Sequence, residues 1–398
     1  DQTFPPPPPL PQLYSSPATM AEAAGGAAAE TAPLLRGIPD EIVVWEILVR
    51  LPPKSLLRCR AVSPAWRRAT STRDFLLAHH GRQPSLPLLC GHNSLADADD
   101  RSVDIIPLDH RTGLAADDQV QSVARIGPIY WFFRVEASCD GLLVLSINCM
   151  SLCIRNPATR QYAPLPLRYG VRLAGMYLQP PTGQYRLLLN NPHEQHLDAH
   201  QCAYYVFTLG SGQPPRRIGC LLHTEGLVLG TRSILLCGSL HWWTGQIIMV
   251  FDTIAESFRQ MCSPVVSARA RLFEMDGKLA MYRFNDAATD IDIWVLEDYK
   301  SEVWALKHRV ELPVAQLAVQ FGEFCPRWKA VVQSCDGDVL LLVRFGDWLL
   351  QLDINGKLVA SFHSKALCTT HLHIKQTLVP HTFFPALEGY AVNARPFI

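Results

Sequence analysis

The chain of 398 residues lacks net charge, because 36 Lys+Arg stand against 36 Asp+Glu. A neutral chain has no global pull toward nucleic acid or an anionic membrane. No apolar run reaches the roughly 18–20 residues that a bilayer-spanning helix needs. The N-terminus has no charged stretch leading into an apolar one, so no signal peptide is expected. The 12 cysteines, spread from Cys59 to Cys368, form no C-x-x-C pair. That spacing matches neither a zinc module nor a disulfide framework. A reducing setting, nucleus or cytoplasm, is the expectation. Also absent are the Walker loop, the G-x-S-x-G elbow and the G-x-G-x-x-G dinucleotide loop.

What polar chemistry remains is weak. His193, His196 and His200 in "HEQHLDAH" would share a helix face, but the glutamate does not sit as in H-E-x-x-H. Pro192 and the flanking strand-like runs favour a polar loop there over a metal site. His241 in "LHWW" reads as a structural strand histidine. Asp140, Asp276 and Asp336 precede turn glycines, and turn chemistry accounts for them. No catalytic residue, metal or cofactor is expected, and the chain is not expected to be an enzyme.

Residues 1–33 read as a disordered tail, with Pro5–Pro9 favouring polyproline and an Ala/Gly stretch after Met20. Met20 looks like a natural start, so residues 1–19 are expected to be upstream or non-native sequence. Residues 34–80 read as three short helices. Pro39-Asp40-Glu41 opens the first, with acids at the positive end of the helix dipole. Eight of the ten residues from Ile42 to Leu51 are apolar, and Glu46 and Arg50 stand four apart. Pro52-Pro53 ends that helix and starts the second, which turns Leu56, Leu57 and Cys59 inward. Ser63 caps and Pro64 opens the third, carrying Trp66 and then Phe75, Leu76 and Leu77. From Arg36 to Arg82 nine Lys/Arg face four Asp/Glu, which points to an acidic partner. Nucleic acid is disfavoured, since the outer helix faces are too apolar to read bases.

From Leu86 the texture is all-β: short Val, Ile, Leu and aromatic runs between Gly, Asp, Asn and Pro clusters. A loose repeat pairs "CDGLLVLS" with "CIRNPATRQY", "CGSLHWW" with "VFDTIAESF", "MDGKLAM" with "IWVLEDYKSEVW", and "CDGDVLLL" with "LLQLDINGKLV". Each unit opens on a glycine turn, and its later strand ends in Asn, Asp or a similar turn residue. The period suits four-stranded sheets around an axis, and a stacked sandwich stays open because period does not fix closure. The expected division is 34–80 for the helical module, 81–135 for a linker with a possible first β unit, 136–380 for the β domain and 381–398 for a C-terminal tail.

A module of about 43 residues cannot bury this much apolar area within itself. Burying eight such side chains is worth on the order of 10 kcal/mol gross, and an exposed patch of that kind marks a partner site. The segment "IPDEIVVWEILVRLPPKSLLRCRAVSPAWRRATSTRDF" resembles an F-box. The residues that carry the likeness, and that it implies would meet the adaptor, are Ile38, Pro39, Ile47, Leu48, Leu51, Pro52, Leu56, Val62 and Trp66. The remainder resembles the F-box-associated β domains of plant F-box proteins, through Cys139-Asp140-Gly141-Leu142-Leu143, Asn156-Pro157-Ala158-Thr159-Arg160, Leu240-His241-Trp242, Phe251-Asp252 and Ile293-Trp294-Val295-Leu296. The fold expected is α+β multidomain, an N-terminal three-helix F-box followed by an all-β, propeller-like repeat domain.

The resemblance implies a substrate receptor of a Skp–cullin–F-box ubiquitin ligase. The F-box would dock on the acidic Skp-type adaptor and, through it, on cullin and RING subunits. The β domain would hold an unnamed target protein, by loops at one end; 190–201 and 284–291 are candidates. Two other readings stay open: an adaptor-bound protein without a ubiquitylation role, and a carbohydrate- or small-molecule-binding propeller.

Overall fold

The computed structural model describes residues 38–92, 102–110, 119–127, 133–147, 151–167, 170–180, 182–191, 201–222, 232–285, 289–321, 329–335, 337–364, 367–386 and 391–392. The tail 1–33, His193, His196, His200 and Asp336 lie outside these residues.

The helical module begins with an irregular first helix: an α turn (α1, Asp40–Ile42), a π-helical stretch (Val43–Ile47) and a 3-10 turn (Leu48–Arg50). Then come α2 (Pro53–Val62), α3 (Pro64–Ala69) and α4 (Arg73–Arg82). The prolines act as expected, with Pro53 and Pro64 at the first helical position of α2 and α3. Ser63 Oγ accepts from Trp66 N at 3.3 Å. The expected third helix is in fact two. Thr70 Oγ1 donates to Trp66 O at 2.6 Å, ending α3, and the Thr72 side chain accepts from Phe75 N to cap α4. Hydroxyls that compete for backbone partners make the break. Leu57 was expected to face inward with Leu56, but it is exposed, because its side of α2 borders a cavity.

Six antiparallel sheets follow and form six blades. Blade 1 joins strands within 86–126 to Leu367–Ile374. Blade 2 spans 133–164 and gains Ala391–Val392 at its outer edge. Blades 3 to 6 span 172–222, 234–261, 271–311 and 329–363. The propeller therefore runs from Leu86 to Val392, wider than the 136–380 read from the sequence. The short strand Ala124–Ile126 and the two-residue Ala391–Val392 gave little pattern to read. The innermost strands are Leu367–Ile374, Phe133–Cys139, Arg172–Gln179, Ile234–Leu236, Arg271–Met275 and Lys329–Cys335 in blade order.

The ring is closed. Each of the six junctions between blades has its own apolar cluster. Tyr177, Tyr204, Trp242 and Phe251 fill the junction of blades 3 and 4. Leu89, Ile106 and Leu342 help to fill the junction of blades 6 and 1, where the two chain ends of the ring meet. A sandwich would have one core. Both faces of every blade are covered, which is why strands such as Leu142–Ile147 are apolar runs rather than alternating ones. Blade 1 closes the ring by pairing Leu86–His92 with the late strand Leu367–Ile374, and Thr370 Oγ1 donates to Leu88 O at 2.6 Å.

The repeat seen in the sequence has a local cause. At Asp140-Gly141, Cys237-Gly238 and Asp276-Gly277 both residues have positive φ, the two-residue hairpin turn whose twist matches the strands. Asn156, Asp252, Asp298 and Asp353 each accept two backbone N–H bonds from the following turn. His241 is structural: buried, its Nδ1 donates to Ile234 O and its Nε2 accepts from Tyr299 Oη at 2.7 Å.

Candidate adaptor interface and target face

The helical module has one core. Val43, Val44, Leu48, Val49, Leu56, Phe75 and Leu76 pack with Leu378, and Leu51, Trp66, Ala158 and Val379 close around them. The last three positions outside the module matter. Ala158 belongs to a turn of blade 2, and Leu378 and Val379 follow the ring-closing strand. Part of the apolar surface that the sequence left for a partner is thus covered by this chain's own later residues.

This divides the expected adaptor residues. Leu48 is 2% exposed and Leu56 0%, so both belong to the core of the module. Leu51 and Trp66 are partly buried against that core. Ile38, Pro39, Ile47, Pro52 and Val62 are exposed, Ile47 at 42% and Val62 at 71%. Ile42 and Trp45, not singled out from the sequence, are exposed as well. An apolar surface of this kind beside exposed Arg50, Lys54, Arg58, Arg67 and Arg68 fits a partner that is both greasy and acidic.

Not all the basic residues are free for that. Arg60 Nε donates to Thr70 Oγ1 at 2.9 Å and its Nη2 to Thr70 O, which staples α2 to the end of α3. Burial and the charge of Arg67 lower its pKa. The carbonyl of Leu51, freed by the Pro52-Pro53 break, accepts from His79 Nε2 at 2.8 Å and Gln83 Nε2 at 3.1 Å. Burial pushes His79 down in pKa, so it stays neutral. Sequence reading missed Arg60, His79 and Gln83 in these roles. The signal was available: a proline pair orphans a carbonyl, and such a group needs donors.

The module is fastened to one face of the ring. His80 Nε2 lies 3.8 Å from Asp140 Oδ1, and His80 Nδ1 donates to Gln376 O. Lys375 Nζ donates to Gly81 O, Tyr185 Oη to Asp140 Oδ2, and Asn156 Nδ2 to Thr377 O. The bond with His80, then that with Tyr185, holds the Asp140 carboxyl below its usual range. Gly141 is required where it stands, since a Cβ would run into Lys375 O and Thr377. A cavity of about 330 Å³ remains between module and ring, lined in part by Lys54, Leu57, Asp104, Arg125 and Gln376.

Strand direction fixes what the other face carries. The turns at 140–141 and 157–160 lie on the helical side. In antiparallel blades the strand ends at Asn191 and Gln201, and at Phe284 and Asp290, then point to the far side. Most of 190–201 lies outside the described residues. Of 284–291, Thr289 N donates to Asn285 Oδ1 at 2.8 Å and Leu312 N donates to Thr289 O at 2.7 Å. The helix Val314–Phe321 follows, with Val319 exposed. No cluster of metal-ligating side chains occurs among the described residues.

A helical module fixed to one face of a closed six-bladed propeller defines a two-part architecture. The comparisons give the family. Residues 35–77 match the F-box domain, and residues 110–336 match the F-box associated beta propeller domain. The chain belongs to the family of F-box proteins with an F-box associated propeller. It is similar to F-box protein At5g65850 of Arabidopsis thaliana, 26% identical over 69% of this chain and 71% of that one. It is also similar to putative F-box protein At3g52320, 26% identical over 74% and 78%, and to F-box protein At5g49610, 23% identical over 69% and 79%, both of Arabidopsis thaliana.

Proposed function

We propose that this chain is the substrate-recognition subunit of a Skp–cullin–F-box ubiquitin ligase. It docks on a Skp-type adaptor through the exposed face of its F-box and holds a target protein on the far face of its propeller. It acts in the nucleus or cytoplasm. The observation that supports the reading is the mount: an exposed apolar and basic F-box surface, tied through Asp140, Lys375 and Leu378 to one face of the ring. The chain then contributes no catalytic group. It raises the effective concentration of target lysines at a charged conjugating enzyme, and a stiff mount keeps that concentration high.

The test is co-purification with adaptor and cullin. Ile47→Asp with Val62→Asp places charges at two exposed positions, so the fold should hold while adaptor affinity falls at least about 100-fold. Undiminished pull-down by the folded double variant would sink the reading.

A further inference from the structure

The ring closes where Leu86–His92 pairs with Leu367–Ile374, and one register position there holds sulfur on both strands. Cys90 stands directly opposite Cys368. Among the described residues, no other two cysteines face each other across a ladder. Opposite residues of an antiparallel pair share a face of the sheet, with Cα atoms about 4.5–5.5 Å apart. A disulfide spans Cα atoms about 4.4–6.8 Å apart. Its Cβ atoms must come within about 4.5 Å, so the strands have at most about 1 Å to close. The register shift between Pro87 and Leu89 interrupts the ladder beside this pair and loosens it there.

The two thiols differ. Cys90 is 5% exposed and packs among Ile105, Val135 and Leu143 where blades 1 and 2 meet. Burial pushes its thiol up to about 12. Cys368 is partly exposed. Arg344 of blade 6 donates to it, Nη1 to Sγ at 3.5 Å, and also to the Leu367 carbonyl. A cation beside a sulfur favours its reaction as a nucleophile. Cys368 is thus the sulfur that an oxidant reaches, and Cys90 is the one placed to resolve it.

We propose that Cys90 and Cys368 are an oxidation site, which a peroxide converts to a disulfide that covalently joins the two strands closing the propeller. Cys368 Sγ attacks a peroxide oxygen, and the O–O bond breaks. With hydrogen peroxide this leaves Cys368 as a sulfenic acid and releases one water. Cys90 Sγ then attacks Cys368 Sγ, the S–O bond breaks, and the hydroxide leaves with the Cys90 proton as a second water. The two thiols lose two electrons and two protons, and one peroxide takes them up. Exchange with a small thiol restores the pair. The loop so closed holds nearly the whole ring, and a cross-link over a long loop most restricts the unfolded chain. The pinned strand runs on into Lys375, Gln376 and Leu378, which hold the F-box.

The experiment uses the full chain, treated with hydrogen peroxide, alkylated with N-ethylmaleimide and digested with trypsin. Cys90 lies in the tryptic peptide 83–101 and Cys368 in 366–375, and neither peptide holds another cysteine. The mass of the two peptides joined is expected, and it should vanish with dithiothreitol. The thermal midpoint of the oxidised chain should rise by about 5 °C or more. Cys368→Ser should abolish both effects, and its partly exposed position keeps the test open if Cys90→Ser fails to fold. In Cys90→Ser, dimedone should label Cys368 as the trapped sulfenic acid. Oxidation of the exposed Cys237 and Cys262 while 83–101 and 366–375 stay unlinked overturns the site. So does a link that forms only in urea, or a rise in midpoint that persists in Cys368→Ser. A linked chain whose midpoint does not rise overturns the locking of the closure.

Discussion

The propeller and the F-box solve the same problem in opposite ways. The propeller has six clusters, one per junction, and every blade is covered on both faces by others of its kind. Closure turns the apolar faces of its blades into these junctions. The F-box has a single cluster, which includes Leu378 and borders Ala158 and Val379, and it still exposes Ile42, Trp45, Ile47 and Val62. A module that borrows part of its core can spend other apolar residues on a partner. The cost is dependence on the propeller, so the boundary at about residue 80 divides two patterns but not two independent folds.

The strongest way to break this comparison is to cut the segment that serves both regions. A chain ending at His363 loses Leu367–Ile374, the inner strand of blade 1, and with it Leu378 and the buried Phe384. Ring closure and the F-box base go together. No cooperative thermal transition is expected by circular dichroism; a surviving sharp transition would show that the ring does not need its closing strand.

Leu378→Ala is the next test and separates the regions. Truncating a buried leucine costs about 2–5 kcal/mol. The loss should fall on the F-box, seen as faster hydrogen exchange in 40–82 and unchanged exchange in blades 4 and 5, which Leu378 does not touch. Uniform acceleration across the ring would mean that the two regions unfold as one unit.

Legibility followed the same division. The turns could be read because blades 2, 4 and 5 repeat a local signal: a residue before glycine where both φ values are positive, and an Asn or Asp that accepts two N–H bonds. The F-box likeness could be read because its prolines start helices wherever they stand. What stayed hidden was set by distant parts of the chain. Nothing near Leu48 or Leu56 says that Leu378 covers their cluster, and nothing near His80 points to Asp140. The split at Thr70–Thr72 was local and could have been found from three hydroxyl residues in a row.

Acid sharpens the comparison from another side. Burial pushes His241 and His381 down to about 4 and His371 to about 3. All three belong to the ring or the segment beneath it. An unfolded chain takes up protons on these histidines near pH 6.5, whereas the folded chain stays neutral until about pH 4. The unfolded state then binds more protons, so stability is full above pH 6.5 and declines as pH falls toward 4. Thermal midpoints from pH 7.5 to 4.5 should show the decline, and His241→Gln should flatten it. A flat wild-type profile would contradict the burial of these rings.

The smallest effect concerns the F-box surface, where Arg50 and Arg60 look alike in sequence. Arg50 pairs with Glu46 at 2.6 Å, four residues back, with both side chains more than half exposed. Such pairs contribute about 0.3–0.5 kcal/mol and are screened by salt. Arg60 instead holds the end of α3 through both atoms of Thr70. Arg50→Ala should therefore leave the thermal midpoint almost unchanged and slow association with an acidic adaptor, the more so at low ionic strength, because screening already removes the charge's reach in high salt. Arg60→Ala should do the reverse, lowering the midpoint with little salt dependence in binding. If the two substitutions behave alike, the basic residues of the F-box do not divide into those that hold its fold and those that face its partner.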